Sequence, residues 1–300
     1  MGFFLEVLLG GLMAGVLYSL VALGFVLIFK ASGVFNFAQG AMVLFAALTF
    51  VRLMEIFHIP MVAALALTVV VMVVLAMVIE RAVLRPLVNQ PGISLFMATL
   101  GISYFLDGFG QAVWGSDIYT LDVGIPKQPV MLLESVFDGG VLVPSEDVVA
   151  TIVAGLLVAA LAVFFQKTKI GRALRAVADD HQAAQSVGIP LNYIWVIVWT
   201  VAGLVALVAG IMWGTKLGVQ FSLTFVALKA LPVLILGGFE SIPGAIIGGL
   251  IIGAGEKLAE VYLGPYVGGG IENWFAYVLA LLFLLVRPEG LFGEKHIDRV

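Results

Sequence analysis

The run from Met61 to Ile79, MVAALALTVVVMVVLAMVI, is apolar on every face except for Thr68. As a helix it rises about 28 Å, close to the ~30 Å hydrocarbon thickness of a bilayer. Similar runs, bounded by charges, Pro or Gly, fall at 5–29, 40–57, 60–79, 93–113, 148–166, 193–214, 223–239, 243–260 and 272–286. Barrel strands would instead alternate apolar and polar residues over about 10 positions. In lipid the helix is the other structure that satisfies its own backbone. The expectation is an all-α, polytopic integral membrane helix bundle of eight or nine spans, one transmembrane domain over residues 1–300. The runs at 223–239 and 243–260 carry Lys229, Pro232, Glu240 and Pro243. Either one broken element or two short spans fits them.

Composition narrows the function. The chain is 62% hydrophobic and 11% charged, with net charge −4 and mean hydropathy +1.15, which excludes a soluble domain and gives no basic surface for nucleic acid. With no cysteine, neither disulfides nor thiolate metal sites can form. His58, His181 and His296 stand far apart without partners at ligand spacing. Nucleophile elbows, H-E-x-x-H and phosphate-cradling loops do not occur. No catalytic, metal or cofactor site is expected; the chain does not read as an enzyme, and any ATP-driven step needs a separate ATPase.

Basic residues set the expected orientation. With the N-terminus outside, the C-terminus cytoplasmic and nine alternating spans, Lys30, Arg81, Arg85, Lys167, Lys169, Arg172, Arg175, Arg287, Lys295 and Arg299 face the cytoplasm, ten of the 15 Lys and Arg. Glu6 at the start of the first run and Lys30 after it invert the order of a cleavable signal, so residues 5–29 read as a retained span. The acidic loop at 114–147 falls outside, and its Gly/Pro spacing suggests a short hairpin or irregular cap.

Few ionisable residues interrupt the spans. Asp107 reads as an interfacial acid, Arg52 and Glu55 as an i, i+3 pair, and Lys229 shares the choice between structural group and vestibule. The segment ASGVFNFAQG at 31–40 sets Ser32, Asn36 and Gln39 among Phe35, Phe37, Gly33 and Gly40. It is either a tight turn capped by Asn36 or an element lining a translocation path, since side-chain amides offer both donor and acceptor to a zwitterion. Gly11-x-x-x-Gly15, Gly244-x-x-x-Gly248 and Gly249-x-x-x-Gly253 predict close helix packing within the chain.

The polar stretch KTKIGRALRAVADDHQAAQSVGIP, residues 167–190, cannot lie in lipid. Ile170, Ala173, Leu174 and Val177 repeat at helical spacing, which predicts an extension of the preceding span with Arg172 and Arg175 on its wet side. Asp179 or Asp180 can cap a short helix over 181–187, stopped by Gly188 and Pro190. That helix is expected to expose Ala183 and Ala184 to a soluble partner.

Gln182, Ala183, Ala184 and Gly188 form Q-A-A-x-x-x-G, which resembles the E-A-A-x-x-x-G coupling loop of ABC-importer permeases. Gln stands in place of Glu, and the later I-x-L-P element is missing. GRALRAVADDHQAAQSVGI, FNFAQGAMVLFAA, VLILGGFESIPGAIIGGLIIG and RPEGLFG are similar to stretches of LivH-type permeases of branched-chain (hydrophobic) amino acid ABC transporters. Gln39 replaces the His of that family's N-F-A-H-G. The likeness runs from about residue 8 to 293. It implies a bacterial inner-membrane permease for branched-chain or other hydrophobic amino acids, pairing with a LivM-like second permease, two cytoplasmic ATPases and a periplasmic binding protein. Arg175, Asp179, Asp180, Gln182, Ala183, Ala184 and Gly188 would then carry ATPase coupling, and Ser32, Asn36 and Gln39 the path. The alternatives are a stand-alone secondary transporter or channel for a small polar solute, which requires an ionisable site inside the bundle, and an ABC permease for urea or amides.

Overall fold

A computed structural model describes residues 2–87, 90–132, 140–179 and 181–293. Helices dominate: α1 (Gly2–Ser32), α2 (Gln39–Phe57), α3 (Met61–Leu87, its last turns widening to a π-turn and then tightening), α4 (Gly92–Trp114), α5 (Ser145–Lys167), α6 (Lys169–Asp179), α7 (His181–Ser186), α8 (Leu191–Leu217), α9 (Val226–Gly237), α10 (Ile242–Val267) and α11 (Phe275–Val286). Among the described residues seven helices, α1 to α5, α8 and α10, are long and apolar enough to cross a membrane. The segments Phe221–Gly237 and Phe275–Val286 are shorter apolar helices.

The runs that the sequence left open resolve differently from one another. Residues 243–260 belong to a full 26-residue helix, because Pro243 sits in its first turn, where no intrahelical N–H is lost, and Ser241 Oγ accepts from Gly244 N at 3.0 Å. Residues 223–239 begin as a 3-10 turn, Phe221–Phe225, before α9. The last run is α-helical only from Phe275, because Gly268, Gly269 and Gly270 all have positive φ ahead of it. Between α4 and α5, strands β1 (Pro129–Leu132) and β2 (Val141–Pro144) pair antiparallel, the short hairpin expected there.

The chain divides into two compact units, each made of discontinuous segments: residues 1–22, 124–158 and 228–300, and residues 23–123 and 159–227. Helices α1, α5 and α9 contribute residues to both.

In the first unit, glycine spacing brings helix backbones together. A Cβ on Gly11 would lie 2.7 Å from the Gly253 carbonyl, and one on Gly15 would lie 2.5 Å from that of Gly249. Ser19 Oγ donates to Gly15 O and reaches Ile246 O at 3.1 Å. Thus α1 packs on α10 through the two Gly-x-x-x-Gly faces within the chain, where van der Waals contact replaces the hydrophobic drive that lipid removes. Gly244 and Gly248 serve α9 likewise, meeting Gly237 and Val233. The C-terminal RPEGLF stretch then closes α9: Leu291 N and Phe292 N donate to Leu236 O and Gly237 O at 2.8 and 3.2 Å. Gly290, at φ +79°, permits that approach, since a side chain there would meet Gly238 N at 2.7 Å.

The second unit centres on α2, which packs against α3, α4 and α8. Met42, Leu44, Phe50, Met72 and Trp199 fill it, while α3 and α4 turn Val62, Val70, Phe105 and Phe109 outward, as a lipid-facing surface requires. Gly210 lets α8 approach α2, with Val43 O 2.6 Å from a Cβ there.

Gly15→Val drives a branched side chain into the backbone of α10, and overpacking of this kind costs about 3 kcal/mol. Thermal denaturation of the detergent-solubilised protein should show a clear loss for Gly15→Val and almost none for Gly10→Val, because nothing lies within 4 Å of a Cβ at Gly10.

Candidate functional site

The polar stretch at 167–190 folds as two helices between α5 and α8. It does not extend α5 as the apolar spacing suggested. Thr168 breaks the rod: its hydroxyl donates to Phe164 O at 2.6 Å and accepts from Gly171 N at 3.1 Å, ending one helix and starting the next. Gly171 is required for the turn, because a Cβ there would collide with the Phe165 carbonyl. Arg175 Nη1 donates to Phe165 O at 2.6 Å and Nη2 to Gln166 O at 3.4 Å. Arg175 therefore faces back onto α5 rather than outward, neutralising carbonyls that a helix C-terminus leaves unpaired. On α6, Leu174 and Val177 are buried and Arg172 is exposed, as the spacing predicted.

Helix α7 ends in a Schellman motif. Gly188, at φ +87°, donates to Gln185 O at 3.0 Å, and Ile189 N donates to Ala184 O at 3.0 Å. Pro190 then leads into α8. The two alanines do not share a face. Ala184 is 2% exposed, so the expectation that it lies on the open face is corrected: α7 packs against α6 and α8, and one helical step turns that methyl inward. Ala183 is exposed, and Val187, one turn on, is 76% exposed. Beside them Gln185 and residues Gly188 to Asn192 line an open depression of about 300 Å³. Asp179 closes α6 and Gln182 lies in α7, while Asp180 falls outside the described residues.

Asn36 and Gln39 come together at the turn between α1 and α2, while Ser32 stays bonded to the last turn of α1. Ser32 Oγ donates to Ile28 O at 2.7 Å. Asn36 Oδ1 accepts from Ala38 N at 3.1 Å, and its amide donates to Gln39 Oε1 at 3.2 Å. Gln39 Nε2 reaches Ala202 O at 3.4 Å. Both amides are 0% exposed. Phe25 stacks on Phe35, and Phe35–Phe37 and Phe37–Phe96 meet edge to face, with centroids 4.6 to 4.8 Å apart.

A charged cluster that the sequence reading did not assemble lies in the first unit. Glu256 on α10 is 2% exposed and accepts from Lys229 Nζ of α9 at 2.6 Å, with the Tyr18 hydroxyl of α1 at 3.4 Å. Lys229 also donates to Glu272 O at 3.3 Å, and Lys257 pairs with Glu272 at 2.9 Å. Glu260 accepts from Gly270 N and Glu272 N at 3.0 and 2.9 Å, tying down the glycine turn before α11. Lys229 was visible in the sequence. Its partner lies 27 positions away inside a glycine-rich run and has no local signature. Elsewhere Arg52 pairs with Glu55 at 2.9 Å, as its spacing implied, and also stacks over Tyr119 at 4.5 Å. Among the described residues no group of three His, Cys, Asp or Glu could hold a metal.

Comparison with known proteins covers nearly the whole chain. The family described as "Branched-chain amino acid transport system / permease component" matches residues 7–287. The high-affinity branched-chain amino acid transport system permease protein BraD of Pseudomonas aeruginosa is 29% identical, covering 99% of this chain and 98% of its own. The permease protein LivH of Salmonella typhimurium is also 29% identical over 99% and 98% of the two chains. A probable LivH permease of Methanocaldococcus jannaschii is 30% identical over 96% and 92%.

Replacing Arg175 by Ala leaves the last carbonyls of α5 without their guanidinium, and a charged hydrogen bond of this type contributes roughly 2 kcal/mol. The melting temperature should fall for Arg175→Ala and stay near wild type for Arg172→Ala. Equal melting temperatures for the two variants would show that the cap contributes nothing.

Proposed function

The chain belongs to the family of permease components of branched-chain amino acid transport systems, and we propose that it forms one half of a membrane path for branched-chain or other hydrophobic amino acids. It is a multi-pass membrane protein of an ABC transport system, a class that works with ATPases and a binding protein. In this reading the second half is a LivM-like permease, two cytoplasmic ATPases dock on α7, and a periplasmic binding protein delivers substrate to the opposite face. The N-terminus is placed outside and the C-terminus in the cytoplasm, which puts the basic α6–α7 segment on the ATPase side.

The observation that carries the coupling role is the way α7 is held. Arg175 fastens α6 to the end of α5, and the Schellman turn with Pro190 fastens α7 to the start of α8. A push on α7 therefore reaches both long helices without being absorbed by a slack loop. The face left for the ATPase is Ala183 and Val187, small and apolar groups one turn apart, rather than Ala184. Ser32, Asn36 and Gln39 act in this reading as the joint beside the path, their amides holding the α1–α2 turn as the flanking spans swing.

Ala183→Glu combined with Val187→Asp should leave the melting temperature unchanged while co-purification of the ATPase falls at least tenfold and leucine uptake is lost. Undiminished association would remove α7 as the docking element. Ala184→Arg is expected to destabilise the chain whether or not a partner is present, because it forces a cation into a closed helix interface.

A further inference from the structure

In the cluster around Glu256, Glu256 and Tyr18 stand near the middle of α10 and α1, and Lys229 in the first turn of α9. At 1.5 Å per residue Glu256 is about 21 Å along α10 from Ile242 and about 16 Å from Val267, and Tyr18 is more than about 20 Å from either end of α1. Lys229 is the central residue of the apolar segment Phe221–Gly237. An ion pair at that depth is costly unless it serves a path or a cavity. Two features set this pair apart from a closed structural bridge. Glu256 Oε2 is buried and has no hydrogen-bond partner among the described residues. The Lys229 side chain is 32% exposed, although no ammonium at mid-span can be presented to hydrocarbon. The exposed part of Lys229 therefore faces water, a polar ligand or the second half of the permease, not hydrocarbon.

We propose that Lys229 and Glu256 form the intramembrane binding site for the charged head of a zwitterionic α-amino acid. This rests on the transport reading above. Lys229 directs two of its three N–H donors to Glu256 Oε1 and Glu272 O, which leaves one for a substrate carboxylate. Glu256 Oε2 is the acceptor that an ammonium requires. When substrate arrives, its carboxylate competes with Glu256 for Lys229, and its ammonium takes up the acceptor so released. The pair thus exchanges one internal bridge for two bridges to the substrate and closes again when it leaves. The side chain of the amino acid makes no charged contact in this scheme, which suits a series of hydrophobic substrates sharing one head group.

The natural chain has no cysteine, so one introduced thiol is a clean probe. The test uses the complete transporter in proteoliposomes: this chain with its partner permease, ATPases and binding protein. If the wild type takes up no leucine, the transport reading fails and this site with it. If the wild type is active, Lys229→Cys should assemble with the ATPase, take up leucine at least tenfold more slowly, and react with aqueous aminoethyl methanethiosulfonate. That reagent rebuilds an ammonium at the position and should restore uptake, whereas methyl methanethiosulfonate should label without restoring it. Leu281→Cys, on the outward apolar face of α11, should not react. Wild-type uptake by Lys229→Cys, or a thiol closed to the aqueous reagent, overturns the site and leaves the transport reading intact. Should Lys229→Cys fail to assemble, the double variant Lys229→Met with Glu256→Leu removes both charges together. Assembly with lost uptake supports the proposal. Wild-type uptake, or failure of the double variant to assemble as well, makes the pair a structural element only.

Discussion

Every break in a membrane helix has to find partners for its backbone inside the protein, because hydrocarbon supplies none. At several of its breaks this chain meets that constraint with a polar side chain. The α1–α2 turn uses the Asn36 carbonyl oxygen for Ala38 N, and α10 begins with Ser241 accepting from Gly244 N. The glycine turn before α11 is held by Glu260, which accepts two backbone amides. The end of α5 is capped from ten residues away by Arg175. At α9 the partner is backbone, with the C-terminal RPEGLF stretch donating to the last carbonyls of the helix. The few polar residues of an apolar chain are spent where its direction changes.

The same economy bears on the proposed coupling segment. A loop joining two spans would lose a push as bending. Here the segment is two short helices, the first hydrogen-bonded to the end of α5 through Arg175 and the second ending in a Schellman turn that runs straight into α8, with Leu174, Val177 and Ala184 buried between them. The surface that α7 leaves exposed is correspondingly small, with Ala183 and Val187 on it.

The apolar runs made the helices legible, since length and an all-round apolar character leave little else possible in lipid. Gly-x-x-x-Gly pairs were legible as packing faces, and the stop at Gly188 followed from the conformation that only glycine adopts without strain. Ala184 was misplaced because spacing within a six-residue helix does not say which side is covered. Arg175 was misread because charge suggests solvent, while the nearest unpaired carbonyls lay behind it. Glu256 escaped because burial and a partner on another helix are properties of the fold, and nothing in GAGEKLAE distinguishes a mid-span acid from a surface one.

Two of the polar sites in the apolar interior differ in hydrogen-bond balance, and that difference separates their roles. Asn36 and Gln39 are enclosed and spend their amides on each other and on nearby backbone, so opening them would expose unmet donors and acceptors to a low dielectric. Such a pair rigidifies a turn. Lys229 and Glu256 bridge two helices but leave one oxygen unmatched and one cation partly uncovered. A buried ion pair offers little net stability over an apolar replacement, since desolvation offsets most of the attraction. Stability alone therefore does not account for this pair, whereas a ligand that supplies both missing charges completes it.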